Sequence, residues 1–156
     1  MDLNVEDKTQ DLDFVRRATL DTIANTEIGP SRLHGFGLFA SQAIPADSQL
    51  CQFEGQVISI AHYHELEALL APKLAEYRNY MFMECNYLDK QTLLARPFRT
   101  KYSYINHSRT PNTEIRQQPL RLVALRTIQP GEELTVDYRK EQLSDDYLSN
   151  PAKQFL

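Results

Sequence analysis

The chain has 156 residues, 42 % hydrophobic and 24 % charged, with a formal net charge of −4. That length and mixture fit one globular domain, and a chain of this size buries about 68–70 % of its unfolded surface. The acidic balance disfavours phosphate-driven binding of nucleic acid and tolerates a basic protein partner. Two cysteines, Cys51 and Cys85, exclude a disulfide framework and a cysteine-rich zinc cluster. No run nears the ~20 apolar residues that cross a bilayer, so no membrane is expected. Met1 to Gln10 carries Asp2, Glu6 and Asp7 and no apolar signal core. A reducing, intracellular compartment is therefore expected, with nothing to separate cytoplasm from nucleus.

In chain order, Asp11 to Ala24 is predicted helical, with Leu12, Val15, Thr19 and Ile23 at helix spacing and Asp11 as N-cap. From Thr26 short apolar runs follow, bounded by Gly, Pro, Asn and Asp, and these predict strands. They are Gly37–Ala40, Gln49–Phe53, Gln56–Ile60, Met81–Leu88, Thr92–Ala95, Thr113–Arg116, Leu120–Leu125 and Glu133–Tyr138. Asp89-Lys90 and Gln117-Gln118-Pro119 are expected hairpin connections. Ala61 to Asn79 interrupts as a helix with an apolar stripe of Leu66, Leu69, Leu70, Leu74 and Tyr77, split or kinked at Pro72. The tail from Arg139 to Leu156 is polar with apolar punctuation. The expected division is a helical extension over 1–25, the main domain over 26–139 and a tail over 140–156 that is a candidate lid.

Three clusters carry chemistry. Ser31-Arg32-Leu33-His34-Gly35-Phe36-Gly37-Leu38-Phe39-Ala40 holds two glycines one residue apart. They either make a tight turn or let the backbone approach a ligand closely. With no third glycine and no following helix, they are not a dinucleotide fingerprint. Tyr104-Ile105-Asn106-His107-Ser108-Arg109-Thr110-Pro111-Asn112 is dense in side chains that bond to backbone, as an elaborate loop or as a rigid grip on a polar cofactor. Pro130-Gly131-Glu132-Glu133-Leu134-Thr135-Val136-Asp137-Tyr138 reads as a turn and then a strand that ends on a tyrosine.

In this order the clusters resemble the SET-domain family of protein-lysine methyltransferases. His34 to Ala40 is similar to its opening glycine motif, and Phe53-Glu54-Gly55-Gln56-Val57-Ile58 to its next strands. Asn106-His107-Ser108 with Pro111-Asn112 is similar to its signature loop, and Gly131 to Thr135 with Asp137-Tyr138 to its closing motif. The resemblance covers Thr26 to Tyr138. It implies a mainly β, β-clip fold of several small curved sheets with few short helices and a knot-like core, where the Asn106–Asn112 and Asp137–Tyr138 regions meet. It implies S-adenosylmethionine as cofactor, bound by His34, Gly35, Phe36, Gly37, Asn106 and His107, with Tyr104 nearby. It also implies a protein lysine, of a histone tail or another protein, entering from the opposite face.

Such a reaction needs a neutral amine, and at pH 7 a lysine of pKa about 10.4 is neutral only about once in 2,500 molecules. An apolar channel and an adjacent sulfonium both raise that fraction. Alignment is the remaining need. Tyr138 is the candidate for the aligning hydroxyl and Tyr80 for a second channel tyrosine; neither needs to be a strong base.

The chain departs from the family pattern in three places. Arg109 stands where many relatives have a zinc-binding cysteine, and no cysteine follows Cys85, so no metal is expected. The tail, through Tyr147 or Phe155, or a second copy of the chain must then close the channel; a homodimer is left open. Ser103 stands where many relatives carry arginine. Val136 stands where they often carry Phe or Tyr, which favours multiple methylation. Two other readings remain: a SET-like module that binds a peptide or partner without catalysis, and a structural or sugar-binding sheet domain. His62 and His64, two apart on a helix, face different directions and are poor joint metal ligands.

Overall fold

The computed structural model describes residues 10–74 and 83–141. The first element among the described residues is helix α1, Leu12–Ala18, capped by the Asp11 side chain, which accepts from the amides of Asp13 and Phe14. The helix is shorter than its periodicity predicts. Thr19 Oγ1 donates back to the Val15 carbonyl at 2.7 Å, and the Leu20 amide turns away to the Arg99 carbonyl at 3.1 Å. Ile23 is nonetheless fully buried, from the irregular stretch that follows. Lys101 Nζ holds that stretch, donating to the carbonyls of Ile23 and Thr26 at 3.3 and 2.7 Å.

Four small sheets follow among the described residues. Strands β1 (Thr26–Pro30) and β2 (Phe36–Ala40) form an antiparallel hairpin, Thr26 facing Ala40 and Pro30 facing Phe36. Strands β3 (Gln49–Gln52), β8 (Thr113–Arg116) and β9 (Arg121–Ala124) form a second sheet with β9 central. Strands β4 (Gln56–Ser59), β5 (Glu84–Tyr87) and β6 (Thr92–Arg96) form a third with β6 central. The fourth is a two-residue parallel pair, β7 (Asn106–His107) beside β10 (Thr135–Val136). The hairpin turns stand where expected. Asp89 Oδ1 accepts the Gln91 amide at 2.7 Å, and Arg121 Nη1 donates to the Gln117 and Pro119 carbonyls at 2.9 and 3.0 Å.

Helix α2, Ile60–Leu74, follows β4 and includes Pro72. Tyr63, Leu66 and Leu70 are half-buried, but Leu69 is 66 % exposed and does not belong to the stripe assigned to it. Tyr77 and Asn79 lie outside the described residues. His62 and His64 are exposed and each lies near a glutamate of the same helix, Glu65 at 3.4 Å and Glu67 at 3.8 Å. No helix among the described residues is long and apolar enough to cross a membrane.

One core runs between the sheets, built on Ile23, Ile28, Leu38, Ile105, Leu122, Ile128 and Leu134. Cys51 and Cys85 are half-buried free thiols, both pushed up to about 11 by burial. The mainly β fold of small sheets is as expected. Strand β1 was not predicted because its Gly29 and Pro30 read as turn residues.

Candidate active site

The third cluster meets the first two. The β7–β10 pair sets Thr135 opposite Asn106 and Val136 opposite His107, and the Ser108 amide continues the ladder to the Val136 carbonyl at 3.0 Å. Asn112 clamps the two segments. Its Nδ2 donates to the Glu133 carbonyl at 2.8 Å, and its Oδ1 accepts the Thr135 amide at 2.8 Å. Thr113 Oγ1 adds a bond to the Thr135 carbonyl at 2.7 Å. Asn112 and Thr113 are buried at 3 % and 0 % exposure, so this polar stitching is sheltered from competing water.

Asn106 carries the link to the glycine segment. Its Nδ2 lies 3.1 Å from the His34 carbonyl, 3.2 Å from the Phe36 carbonyl, 3.1 Å from Ser31 Oγ and 2.8 Å from Glu133 Oε1. Ser31 Oγ in turn donates to the Glu133 carboxylate at 2.8 and 3.0 Å. The two glycines serve different needs. Gly35 holds φ +47, and a side chain there would meet nothing, so its backbone is open on that side. A Cβ on Gly37 would stand 2.2 Å from Glu133 Oε1, so the absence of a side chain makes room for that carboxylate. His34 and Gly35 are exposed, Phe36 half-buried and Gly37 buried.

On the other side of the β7–β10 pair the chain turns through a short 3₁₀ segment, Tyr138–Lys140. The Tyr138 amide donates to His107 Nδ1 at 3.1 Å, and its hydroxyl donates to the Ile105 carbonyl at 2.6 Å. Its ring lies 5.2 Å from the His107 ring. Because Nδ1 accepts, the neutral imidazole carries its proton on Nε2. Burial holds His107 below its ordinary value, against the pull of Asp137 at 3.8 Å. The Asp137 carboxyl is held down at about 2, first by the Arg139 guanidinium, whose Nε and Nη2 reach it at 2.9 and 2.7 Å.

The structure thus brings His34, Gly35, Phe36, Gly37, Asn106, His107 and Tyr138 into one connected region. Tyr104 ends the 3₁₀ segment Lys101–Tyr104 that leads into Asn106, with Arg99 Nη1 at 3.4 Å from its hydroxyl. Tyr80, Tyr147 and Phe155 lie outside the described residues. A cleft of about 150 Å³ opens beside the closing strand, lined among others by Asn86, Tyr87, Thr113, Val136, Asp137 and Glu141. No cluster of three metal-ligating side chains occurs among the described residues.

Sequence reasoning missed Glu133, which it set beside Glu132 at a turn. The two part company: Glu132 pairs with Arg126 at 3.0 Å, whereas Glu133 faces inward to Ser31 and Asn106. Strand alternation does not single it out, because Leu134, Thr135, Val136 and Asp137 are all buried and a period of two sets Glu132, not Glu133, on the face of Leu134. Tyr102 was missed as well. Its hydroxyl donates to Glu141 Oε1 at 2.6 Å, and burial pushes both groups above their ordinary values.

The model of the SET domain matches residues 35–139, which hold the glycine segment from Gly35 on, the Asn106–Asn112 loop and the closing strand through Tyr138, with Ser31 and His34 just before the match. The chain belongs to the SET-domain family. Among curated proteins, this SET domain is 29 % identical over 142 residues to a "Histone-lysine N-methyltransferase, H3 lysine-36 specific" of Mycosarcoma maydis, covering 85 % of this chain and 14 % of that protein. It is 29 % identical over 144 residues to "Histone-lysine N-methyltransferase 2D" of Homo sapiens, covering 85 % of this chain and 2 % of that protein. It is 31 % identical over 117 residues to "Histone-lysine N-methyltransferase TRX1" of Oryza sativa subsp. japonica, covering 71 % and 11 %. The chain therefore spans a small part of the length of these relatives.

Proposed function

We propose that this SET domain transfers methyl groups from S-adenosylmethionine to a lysine side chain of a protein, with a histone as the first substrate to test. The observation that carries the reading is the joining of the glycine segment, the Asn106–His107 strand and Tyr138 in one hydrogen-bonded region. The names of the relatives support the reaction class.

The residues fit the cofactor's chemistry. The cofactor is a sulfonium that also carries an ammonium and a carboxylate, and it supplies an electrophilic methyl group. Acceptors cluster beside Asn106: the His34 and Phe36 carbonyls, Ser31 Oγ and the Glu133 carboxylate. Such a set suits a cationic ligand. The exposed, side-chain-free backbone at Gly35 lets a ligand approach closely. In this reading His34, Gly35, Phe36, Gly37, Asn106 and His107 hold the cofactor, and Tyr104 flanks it.

Tyr138 then acts by orientation. Its hydroxyl proton is directed at the Ile105 carbonyl, so the oxygen's remaining lone-pair capacity is what it offers an amine N–H. That aligns the nitrogen without removing its proton, and alignment is worth a large part of such a barrier. Val136, buried and lining the cleft, leaves more room than an aromatic ring there and favours repeated methylation. Tyr80 remains the candidate second channel tyrosine, and the tail or a second copy of the chain the candidate lid.

Calorimetric titration with S-adenosylmethionine tests the reading. Binding at micromolar concentrations in wild type, weakened at least tenfold by Asn106→Ala, is expected. No binding by the folded wild type would leave a partner-binding module as the better description.

A further inference from the structure

Glu84 lies outside the motifs above, yet it is among the most completely buried charged groups described, at 2 % exposure. Its carboxylate accepts from Arg96 Nε and Ser103 Oγ, both at very short range, from the Thr100 amide at 2.9 Å and from Thr100 Oγ1 at 2.8 Å. Arg96, 3 % exposed, also donates to Asn86 Oδ1 at 2.8 Å and the Glu54 carbonyl at 3.2 Å, and its guanidinium stands 5.5 Å over the Phe53 ring. Both charges are therefore paired, while Asn86 Nδ2 is buried with no hydrogen-bond partner among the described residues.

Three of the donors to Glu84 come from Thr100 and Ser103, and these two residues bracket the first turn of the 3₁₀ segment Lys101–Tyr104. Thr100 caps that segment by accepting the Tyr102 amide at 3.3 Å, and the Ile105 amide closes it on the Tyr102 carbonyl at 3.0 Å. Ile105 is also the residue whose carbonyl receives the Tyr138 hydroxyl. A single turn thus separates the ion pair from the acceptor that orients Tyr138. Stability alone is a poor explanation for such a pair, because a buried ion pair is often no more stabilising than apolar residues of the same volume. What four convergent bonds do provide is a fixed position for the turn.

We propose that the buried Glu84–Arg96 pair, joined to Thr100 and Ser103, positions the Tyr138 hydroxyl by setting the place of the Ile105 carbonyl. Glu84, Arg96 and Ser103 are positioning residues in this scheme. The kinetic consequence rests on the methyltransferase reading above; the structural coupling does not.

Ser103→Ala is the gentlest perturbation, since it removes one donor and keeps the ion pair, and Ser103→Thr restores the hydroxyl. In protein labelled with ¹³Cζ-tyrosine, the Tyr138 signal is assigned by its loss in Tyr138→Phe. The expected result is that Ser103→Ala shifts this signal and Ser103→Thr leaves it near the wild-type position, both variants staying folded by thermal unfolding. An unmoved Tyr138 signal in folded Ser103→Ala overturns the inference. In parallel, Ser103→Ala is expected to lower kcat about tenfold, with the KM for protein substrate unchanged. In a Tyr138→Phe background the same change is expected to cost less than about twofold, because the group it positions is gone. Equal losses in both backgrounds overturn the inference too. A wild type that transfers no methyl group refutes the proposed function, and the tyrosine signal still decides the coupling.

Discussion

Gly37→Ala is the most telling single substitution in the glycine segment. The new methyl would stand 2.2 Å from Glu133 Oε1 and 2.8 Å from its Cδ, distances no real contact shows. The obstacle is the end of a side chain, so the carboxylate swings away and releases Ser31 and Asn106. A hydrogen bond to a charged group contributes about 1.5–3 kcal/mol, which bounds the two losses at about 3–6 kcal/mol. Glu133 is only half-buried and regains water as it moves, so about 2–3 kcal/mol of destabilisation is expected. At about 2–4 °C per kcal/mol for a domain of this size, the unfolding midpoint should fall by roughly 4–12 °C. Urea unfolding of wild type, Gly37→Ala, Glu133→Ala and the double variant forms a cycle. In the Glu133→Ala background Gly37→Ala should cost under about 1 kcal/mol, the residue of a 3.1 Å approach to Ser31 Cβ. The same cost in both backgrounds would refute the claim that Gly37 exists to admit Glu133.

Tyr138→Phe should lower turnover by about 10²-fold while cofactor affinity changes less than about twofold, as measured by single-turnover kinetics and calorimetry. His107 is held below its ordinary value, so the unfolded chain binds its proton first on acidification. Its contribution to stability is then fully present above the ordinary histidine value and is lost as pH falls through the folded one, freeing the Tyr138 amide from Nδ1. Histidine NMR titration should give His107 a midpoint below the ordinary histidine value, and a higher one contradicts the assignment. Glu141 is shifted the other way, so the folded state keeps its proton when the unfolded chain has lost it, and its contribution is lost as pH rises through the folded value. Glu141→Gln keeps an acceptor for Tyr102 and should flatten that part of the stability–pH curve, read from unfolding free energies between acidic and neutral pH.

Much of the fold was legible because its strands are short apolar runs bounded by Gly, Pro, Asn and Asp and its hairpins carry the expected turn residues, as at Asp89-Lys90. The site's outline was legible because polar side chains and glycines crowd into short segments. What was not legible depends on contacts distant in sequence. Nothing local to Ser31 or Glu133 shows that they meet across 102 positions. Strand β7 has only two residues and no periodicity; its partner β10 makes it a strand. The Glu84 cluster is hidden for the same reason, since Glu84 sits in an apolar run and its partners Arg96, Thr100 and Ser103 follow 12 to 19 residues later. The early end of helix α1 reflects a tertiary bond, Leu20 to Arg99, that overrides a continuing periodic pattern.

The most direct measurement is transfer of an isotopically labelled methyl group from S-adenosylmethionine to purified core histones, with the labelled residue located by mass spectrometry. The account predicts label on lysine side chains with the wild-type chain and nearly none with Tyr138→Phe. Label that appears equally with the two proteins, or on residues other than lysine, would contradict it.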